Sequence, residues 1–385
     1  MRAEMNIEAK LLSLLLAAAV PGVMQAQTVH FQPGQLAVLR AGDGVVKQHL
    51  KQAPIFIDQF DPKTFSDAPS LTVAIPTNGA SSFFFNSHAA TEGVLSRSAD
   101  HRFLVFAGYG GVNLLEKPGV PSLLDIERGF CCVDATGSVK TLLYQTGLSA
   151  DKINPRGGVT DGNNDFWGCG SAQATLYFNP VSHKTPTVFP AAPTTRAMKI
   201  IDHVLYATLN GADATAMDGR AGIYQFTDAT GNLTPLPQAG DSRVKLVVPA
   251  SGDYTKISGF DMNSAKTLAY LADTAAGIQK YVNTNGAWKL AATFVIPQNI
   301  AGADNHANGC FGLTVDFSGA APIIYATTTE GYNGTVNSNR VVRIVDTGAN
   351  PTVATVAQAR SANIAFRGLD FTPESEPSAH ESAQR

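Results

Sequence analysis

The chain has 385 residues, only 15% of them charged, and its 28 Lys and Arg nearly balance its 31 Asp and Glu, for a formal net charge of −3. This near-neutral, charge-poor composition argues against a nucleic-acid-binding or membrane-surface protein. The length fits one large all-β domain or two small domains, and the 35 Gly and 21 Pro indicate many turns.

The first 26 residues have the form of a secretory signal peptide. Arg2 and Lys10 supply positive charge, residues 11–20 are apolar, and cleavage is expected after Ala26. The apolar run is too short to cross a membrane, and the alternative is an uncleaved N-terminal anchor. No later segment of the sequence has the pattern of a transmembrane helix. The mature protein is therefore expected to be secreted or periplasmic.

Short strand-like segments recur along the rest of the chain, each bounded by Gly, Asn, Asp or Pro. One type ends in an Asp/Asn-x-x-Gly turn and occurs at residues 129–137, 222–231 and 277–286, with a shortened form at 340–348. The strand type that precedes it occurs at residues 104–109, 205–210, 269–274 and 324–329. A repeat of about 45–60 residues is typical of β-propeller blades.

The repeat predicts an all-β fold, a single β-propeller of six four-stranded blades within residues 28–374. Complete units lie at residues 92–145, 156–190, 196–237, 258–297 and 311–359. The remaining unit has only three strands, at residues 36–40, 55–60 and 71–75.

The single strand at residues 368–372 is expected to supply the missing strand by pairing with residues 36–40. Both termini would then close the ring and remove an exposed sheet edge. A seventh blade would require strands within residues 77–90. Residues 375–385 are expected to form a disordered polar tail.

Four cysteines, Cys131, Cys132, Cys169 and Cys310, show no zinc-ligand spacing. An exported protein is expected to form disulfides, but adjacent cysteines can bond to each other only through a strained peptide. The alternatives are one or two bridges between separated cysteines, or buried thiols. We expect no metal ligand among them, and no motif in the sequence indicates a cofactor.

Three segments carry a resemblance to known proteins: residues 91–100 (Thr-Glu-Gly-Val-Leu-Ser-Arg-Ser-Ala-Asp), residues 277–281 (Gly-Ile-Gln-Lys-Tyr) and residues 366–368 (Phe-Arg-Gly). With these markers the chain resembles a large group of exported bacterial β-propeller proteins, most of them without an assigned reaction. The resemblance covers nearly the whole mature chain and implies a fold and an export route. It implies no reaction and no catalytic residues, because its motifs are specific to the fold.

In a propeller the first strand of each blade lines a central channel. When these strands are aligned by the Gly or small residue near their start, the position before it holds Glu92, Arg156, Arg196, Ser258, Phe311 and Arg367. Three guanidinium groups around one channel mouth repel each other unless an anion lies between them, and Glu92 can balance only one.

Arginine binds carboxylate, sulfate or phosphate groups in a planar, bidentate geometry. Arg156, Arg196, Arg367 and Glu92 are therefore expected to bind an anionic ligand, such as an acidic glycan, at the mouth of the channel. The alternative is that these arginines cap carbonyl groups and tie neighbouring blades together.

Two classes of function remain open. One is binding without catalysis, to an anionic glycan, a small anion or a protein partner, by a chain expected to be monomeric. The other is a polysaccharide lyase or glycoside hydrolase that acts on a uronate-containing polysaccharide, with His88, His306 and Tyr254 as candidate catalytic residues. In a lyase the arginines would neutralise the uronate carboxylate while a His or Tyr moves the proton. For each His taken singly, a solvated loop position is the alternative.

Overall fold

The computed structural model describes residues 30–45, 52–86, 91–111, 126–144, 154–171, 175–182, 185–192, 194–209, 220–233, 236–251, 257–297, 309–330, 339–348 and 351–375. The predicted signal peptide and all but the first residue of the predicted tail lie outside these ranges.

Regular secondary structure in the described residues consists of β-strands. In chain order they are β1 (Leu36–Ala41), β2 (Gln52–Ala53), β3 (Ile55–Phe60), β4 (Leu71–Ala74), β5 (Phe83–Asn86), β6 (Ser96–Arg97), β7 (Phe103–Gly110), β8 (Glu127–Asp134), β9 (Val139–Tyr144), β10 (Pro155–Thr160), β11 (Phe166–Gly170), β12 (Leu176–Phe178), β13 (Thr187–Val188), β14 (Thr195–Ile201), β15 (Val204–Leu209), β16 (Gly222–Thr227), β17 (Arg243–Pro249), β18 (Ile257–Met262), β19 (Leu268–Asp273), β20 (Gly277–Thr284), β21 (Ala287–Phe294), β22 (Cys310–Asp316), β23 (Ile323–Thr328), β24 (Arg340–Val345), β25 (Val353–Gln358) and β26 (Ala365–Phe371).

The strands form six antiparallel sheets, which are the blades of a β-propeller. Blade 1 has the order β26-β1-β3-β4 from the axis outward, blade 2 is built around β6 to β9, and blades 3 to 6 are β10–β13, β14–β17, β18–β21 and β22–β25. The predicted six-bladed fold is confirmed. The core lies between the faces of neighbouring blades, where for example Leu39 and Ile57 of blade 1 pack in one buried cluster with Phe106 and Val133 of blade 2.

The C-terminal strand closes the ring as the sequence predicts. β26 pairs with β1 in the register Leu36 to Phe371, Ala37 to Asp370 and Val38 to Leu369. Because β1 pairs on its other side with β3, this N-terminal strand has no free edge in the sheet.

Blade 2 differs from the regular four-stranded pattern. Its second strand, β7, pairs with β6 over Val105 and Leu104, and with β5 over Gly110 and Tyr109. Short β2 then extends the sheet beyond β5. The strand within residues 77–90 therefore joins blade 2, and it does not begin a seventh blade.

The rings of β5 hold it in place. Phe83 and Phe85 each pack edge-on against Phe106, at centroid distances of 5.7 and 5.9 Å. Phe84 points to the other face and stacks on Tyr109 at 5.9 Å.

Blade 4 is longer than the predicted unit of residues 196–237. Its fourth strand is β17, which runs antiparallel to β16. At one end of the pairing Thr227 lies opposite Arg243, and at the other end Gly222 lies opposite Pro249. The predicted unit ends at Pro237, whereas in the structure the segment from 236 to 242 leads into the outer strand.

A β-bulge explains the recurring Gly near the start of the first strands. In blades 1, 3, 4, 5 and 6 the first strand carries one extra residue relative to its partner, at the aligned position. A bulge bends the strand and redirects a side chain. At the small residue the inner strands approach closely, since a Cβ on Gly368 would lie 2.1 Å from the Leu95 backbone nitrogen, and one on Gly312 would lie 2.7 Å from the Arg367 carbonyl oxygen.

The axis of the ring is filled within the described residues. Val94 of blade 2 belongs to one buried cluster with Ala197, Phe260 and Phe311, which come from blades 4, 5 and 6. Ser96 Oγ of blade 2 also donates to the Met198 carbonyl of blade 4 at 2.8 Å. The central channel expected from the sequence is therefore blocked midway, and the two ends of the ring are separate.

All four cysteines are buried free thiols, so the expected disulfide is wrong and the buried-thiol alternative holds. Cys169 occupies the position in its blade that Thr208 and Thr327 occupy in theirs. Thr208 Oγ1 donates to the Ser258 carbonyl of the next blade at 2.6 Å, and Thr327 Oγ1 does the same to Arg367 at 2.5 Å. Cys169 Sγ makes the corresponding contact to the Arg196 carbonyl at 3.2 Å, so its role is to link two blades.

Candidate functional site

The aligned residues Arg156, Arg196 and Arg367 lie near the start of their first strands, and Glu92 lies four residues before β6. We call this end of the ring the arginine end. Both Arg156 and Arg367 are close enough to the Glu92 carboxyl to lower its pKa. Arg156 Nη1 donates to the carbonyl of Thr195, the residue before Arg196, at 2.9 Å. The structure thus brings Glu92, Arg156 and Arg367 together, and Arg196 directly follows the residue that Arg156 contacts.

Glu92 lies beside Arg156 and Arg367 and is only 1% exposed. Its Oε2 accepts a hydrogen bond from the Asn86 backbone N–H at 2.8 Å, and its Oε1 accepts one from Tyr109 Oη at 3.2 Å. Burial raises the pKa of Glu92 to about 8, although these two hydrogen bonds and the two arginines oppose the shift. At neutral pH Glu92 is therefore mostly protonated and balances little of the arginine charge.

The three arginines differ in their access to solvent. Arg367 and Arg156 are buried, at 3% and 8% exposure, whereas Arg196 is half-buried. The bond from Arg156 to Thr195 joins blade 3 to blade 4, as expected if the arginines tie blades together. Arg196 has the most accessible side chain of the three, and the role of all four residues in ligand binding stays a prediction.

The three predicted catalytic residues, His88, Tyr254 and His306, lie outside the described residues. Tyr109 and Glu92 are the groups that the structure places beside the arginines. Tyr109 was not predicted from the sequence, because it belongs to the second strand of its blade and the predicted residues all come from first strands.

The opposite end of the first strands carries a second cluster, which was not predicted from the sequence. Lys199, Asp261, Thr314 and Asp370 each lie three residues after the aligned position of their strand, in β14, β18, β22 and β26. Because this offset is the same in all four strands, the alignment of the first strands contains a signal that could have identified these four residues. With Arg97 of β6 they form what we call the lysine funnel.

Lys199, Asp261, Thr314 and Asp370 form the floor of this funnel, where Lys199 contacts residues from opposite sides of the ring. Its Nζ lies 2.9 Å from Asp261 Oδ2 and 3.5 Å from Asp370 Oδ2. Blades 4 and 1 are opposite each other among six, so the contact with Asp370 crosses the axis. Thr314 Oγ1 lies between the two carboxylates, 3.3 Å from Asp261 Oδ2 and 3.0 Å from Asp370 Oδ1.

Lys199 and Asp370 on the floor are held in their charged forms. Burial alone would lower the pKa of Lys199, but Asp261 and Asp370 raise it above its ordinary value. Burial likewise opposes ionisation of Asp370, yet Lys199 and Arg97 hold its pKa below the usual range. Above the floor is a cavity of about 550 Å³.

No group of three or more His, Cys, Asp or Glu within the described ranges is placed to hold a metal ion. The same ranges contain no helical segment with the length and hydrophobicity of a membrane span.

No protein-family model matches the chain, and no curated protein matches it. Solved structures with similar folds include a Bacteroides uniformis protein provisionally assigned as a 6-phosphogluconolactonase, with 16% identity over 84% of this chain and 82% of that one and a TM-score of 0.44. A chain of the mitotic checkpoint complex matches with 10% identity, 77% and 73% coverage and a TM-score of 0.42. The β-propeller domain of Cps50 (Swd1) from Myceliophteria thermophila matches with 12% identity, 85% and 88% coverage and a TM-score of 0.42. At these identities and scores the similarities carry no argument about function.

Proposed function

We propose that the protein is an exported β-propeller that binds an anionic ligand, in particular an acidic glycan, at the arginine end. The observation that carries the proposal is the placement of Arg156, Arg196 and Arg367 at equivalent bulges of three first strands. Bulges are frequent beside functional sites because they redirect side chains. Arginine suits carboxylate or sulfate groups because its planar donors match their geometry.

The protonation of Glu92 supports an anion at this end. With a pKa of about 8, the carboxyl is mostly neutral at pH 7 and adds little repulsion toward a negative ligand. When it ionises at higher pH, its charge would compete with the ligand for Arg156 and Arg367. Anion affinity is therefore expected to fall as the pH rises through about 8.

The decisive experiment compares Arg196→Gln with Arg243→Gln. Both arginines belong to blade 4, but Arg243 is exposed on the outer strand, away from the axis. Removing one arm of a charge-assisted contact typically costs about 1.5–3 kcal/mol, which is roughly tenfold to a hundredfold in affinity. Binding of a uronate oligosaccharide and a neutral one should be measured by calorimetry at low and moderate salt.

The expected result is that Arg196→Gln weakens binding of the acidic oligosaccharide at least tenfold, while the melting temperature of this variant stays that of the wild type. Arg243→Gln should change neither the affinity nor the melting temperature. Arg156→Gln and Arg367→Gln should weaken binding as well. If the latter two unfold and Arg196→Gln binds normally, the arginines serve to tie the blades together and the proposal fails.

A second candidate, cleavage of a uronate-containing polysaccharide by a lyase or hydrolase, is favoured by one observation. Glu92 and Tyr109 lie within hydrogen-bonding distance of each other beside two arginines, and a group with a pKa near 8 can exchange protons at physiological pH. Incubation with uronate and neutral polysaccharides tests it. Unsaturated products that absorb in the ultraviolet would establish a lyase, and new reducing ends without that absorbance would establish a hydrolase.

A further inference from the structure

The lysine funnel contains a cavity that the proposed anion site does not use. Its volume of about 550 Å³ is within the range of small-molecule sites. The cavity lies at the opposite end of the first strands from Arg196, and the buried Val94 cluster fills the axis between the two ends. A ligand in the funnel would therefore bind independently of one at the arginine end.

The charge of the funnel favours a cation. Arg97, Lys199 and the imidazole of His101 line it, together with four carboxylates, those of Asp202, Asp261, Asp316 and Asp370. Arg97 and Lys199 each already contact a carboxylate, since Lys199 lies beside two of them on the floor and Arg97 Nη1 lies 3.2 Å from Glu374. Lys266, at the edge of the funnel, lies 3.3 Å from Asp202. With Glu374 and Lys266 included, the carboxylates still outnumber the Lys and Arg side chains. The remaining negative charge attracts a cationic ligand and repels an anionic one.

The walls provide both apolar and polar contacts. Ile200, Phe317 and Phe371 are half-buried and line the cavity. Aromatic faces offer apolar surface and attract cations. At the rim the Asp202 side chain is 57% exposed, and Asp316 is held by the Ser318 backbone N–H at 2.9 Å. Carboxylates at the rim and on the floor can accept hydrogen bonds from both hydroxyl and ammonium groups.

We infer that the lysine funnel is a second ligand site and that its ligand is an amino sugar with a free, protonated amine. The ammonium group would meet the excess carboxylates, the hydroxyl groups would meet the polar floor, and the ring face would lie against the apolar wall. A neutral or acidic sugar of the same size has the ring and the hydroxyl groups but lacks the charge that the funnel favours.

Three matched probes test the inference by calorimetry with the mature protein: the β-1,4-linked dimer of glucosamine, its N-acetylated counterpart and a dimer of galacturonic acid. N-acetylation removes the charge and keeps the ring. The glucosamine dimer is expected to bind at least about tenfold more tightly than the N-acetylated dimer, and more weakly as salt increases. Equal affinity for the two dimers, or no binding of the glucosamine dimer, would overturn the inference.

Variants then locate the site. Asp202→Asn combined with Asp316→Asn removes rim charge and leaves the floor intact, and asparagine tolerates the positive φ of 51° at position 202. Affinity for the glucosamine dimer should fall about threefold to tenfold, because exposed charge contacts are individually weak. Asp241→Asn, at an exposed site in blade 4, is the control and should change nothing.

Arg196→Gln should also leave glucosamine-dimer binding unchanged, even if the arginine end binds no anion. If the variant with both Asp202→Asn and Asp316→Asn binds the glucosamine dimer as tightly as the wild type does, the funnel is not the binding site and its charges serve only the fold.

Discussion

Replacing Gly368 by alanine is expected to force the inner strands apart. Gly368 lies in β26 between Arg367 and Leu369, and its N–H donates to the Gly93 carbonyl at 2.7 Å. A Cβ at this position would lie 2.1 Å from the Leu95 nitrogen and 2.7 Å from the Gly93 oxygen. These are backbone atoms, which cannot rotate away as the end of a side chain can.

The expected cost follows from these contacts. Overpacking a core typically costs about 1–3 kcal/mol. Stretching or losing the bond to Gly93 adds about 1 kcal/mol. Alanine also restricts the unfolded chain more than glycine does, which raises the unfolding free energy by about 0.4–1 kcal/mol. The net loss of unfolding free energy should be roughly 1–3.5 kcal/mol.

The assay is equilibrium urea unfolding of Gly368→Ala beside Gly319→Ala. A Cβ at Gly319 would meet only the Ala321 carbonyl oxygen, at 3.4 Å, which is an ordinary contact. The midpoint should fall for Gly368→Ala with an unchanged slope, and Gly319→Ala should stay within about 0.5 kcal/mol of the wild type. Equal midpoints for the two variants would show that the inner strands have room at the axis and would refute the close approach.

Three further outcomes are expected. Because the pKa of Glu92 is raised to about 8 in the folded state from an ordinary value of 4.5, unfolding free energy should fall as pH rises between these values, and Glu92→Gln should remove that slope in pH-dependent urea unfolding. Cys169→Thr should melt close to the wild type because the hydroxyl can replace the thiol as donor, whereas Cys169→Val should cost about 1 kcal/mol by thermal unfolding. A chain ending before Ala365 should lose its cooperative unfolding transition, measured by circular dichroism, whereas one ending after Ser375 should keep it; equal melting curves would contradict closure by β26.

Much of the fold could be predicted from the sequence because each blade repeats the same local pattern. The pairing of β26 with β1 followed from the missing strand of blade 1, and the structure confirms it. The insertion of β5 and β2 into blade 2 could not be predicted, since strands of four and two residues are fixed by non-local packing on Phe106 and Tyr109.

The candidate site could be predicted only in part. Alignment of the first strands found Arg156, Arg196 and Arg367 because equivalent positions in a ring come to the same end. The filled axis was not foreseen, because the direction in which Val94 and Lys199 point depends on the bulges and on the number of blades. The contact of Lys199 with Asp370 joins blades that are far apart in sequence, so no local pattern indicates it.

Two strands, β14 and β26, each carry a residue of both ends of the ring, and β26 also closes the ring. β26 contributes Arg367 to the arginine end and Asp370 to the lysine funnel, and Gly368 between them touches blade 2. Blade 6 holds both residues, since Thr327 Oγ1 donates to the Arg367 carbonyl and Thr314 Oγ1 donates to Asp370 Oδ1. A substitution that loosens β26 must therefore disturb both ends at once. If a variant loses binding at one end only, as expected for Arg196→Gln, the substituted residue belongs to the binding site at that end. If it loses binding at both ends, the substitution has disturbed the closure of the ring by β26.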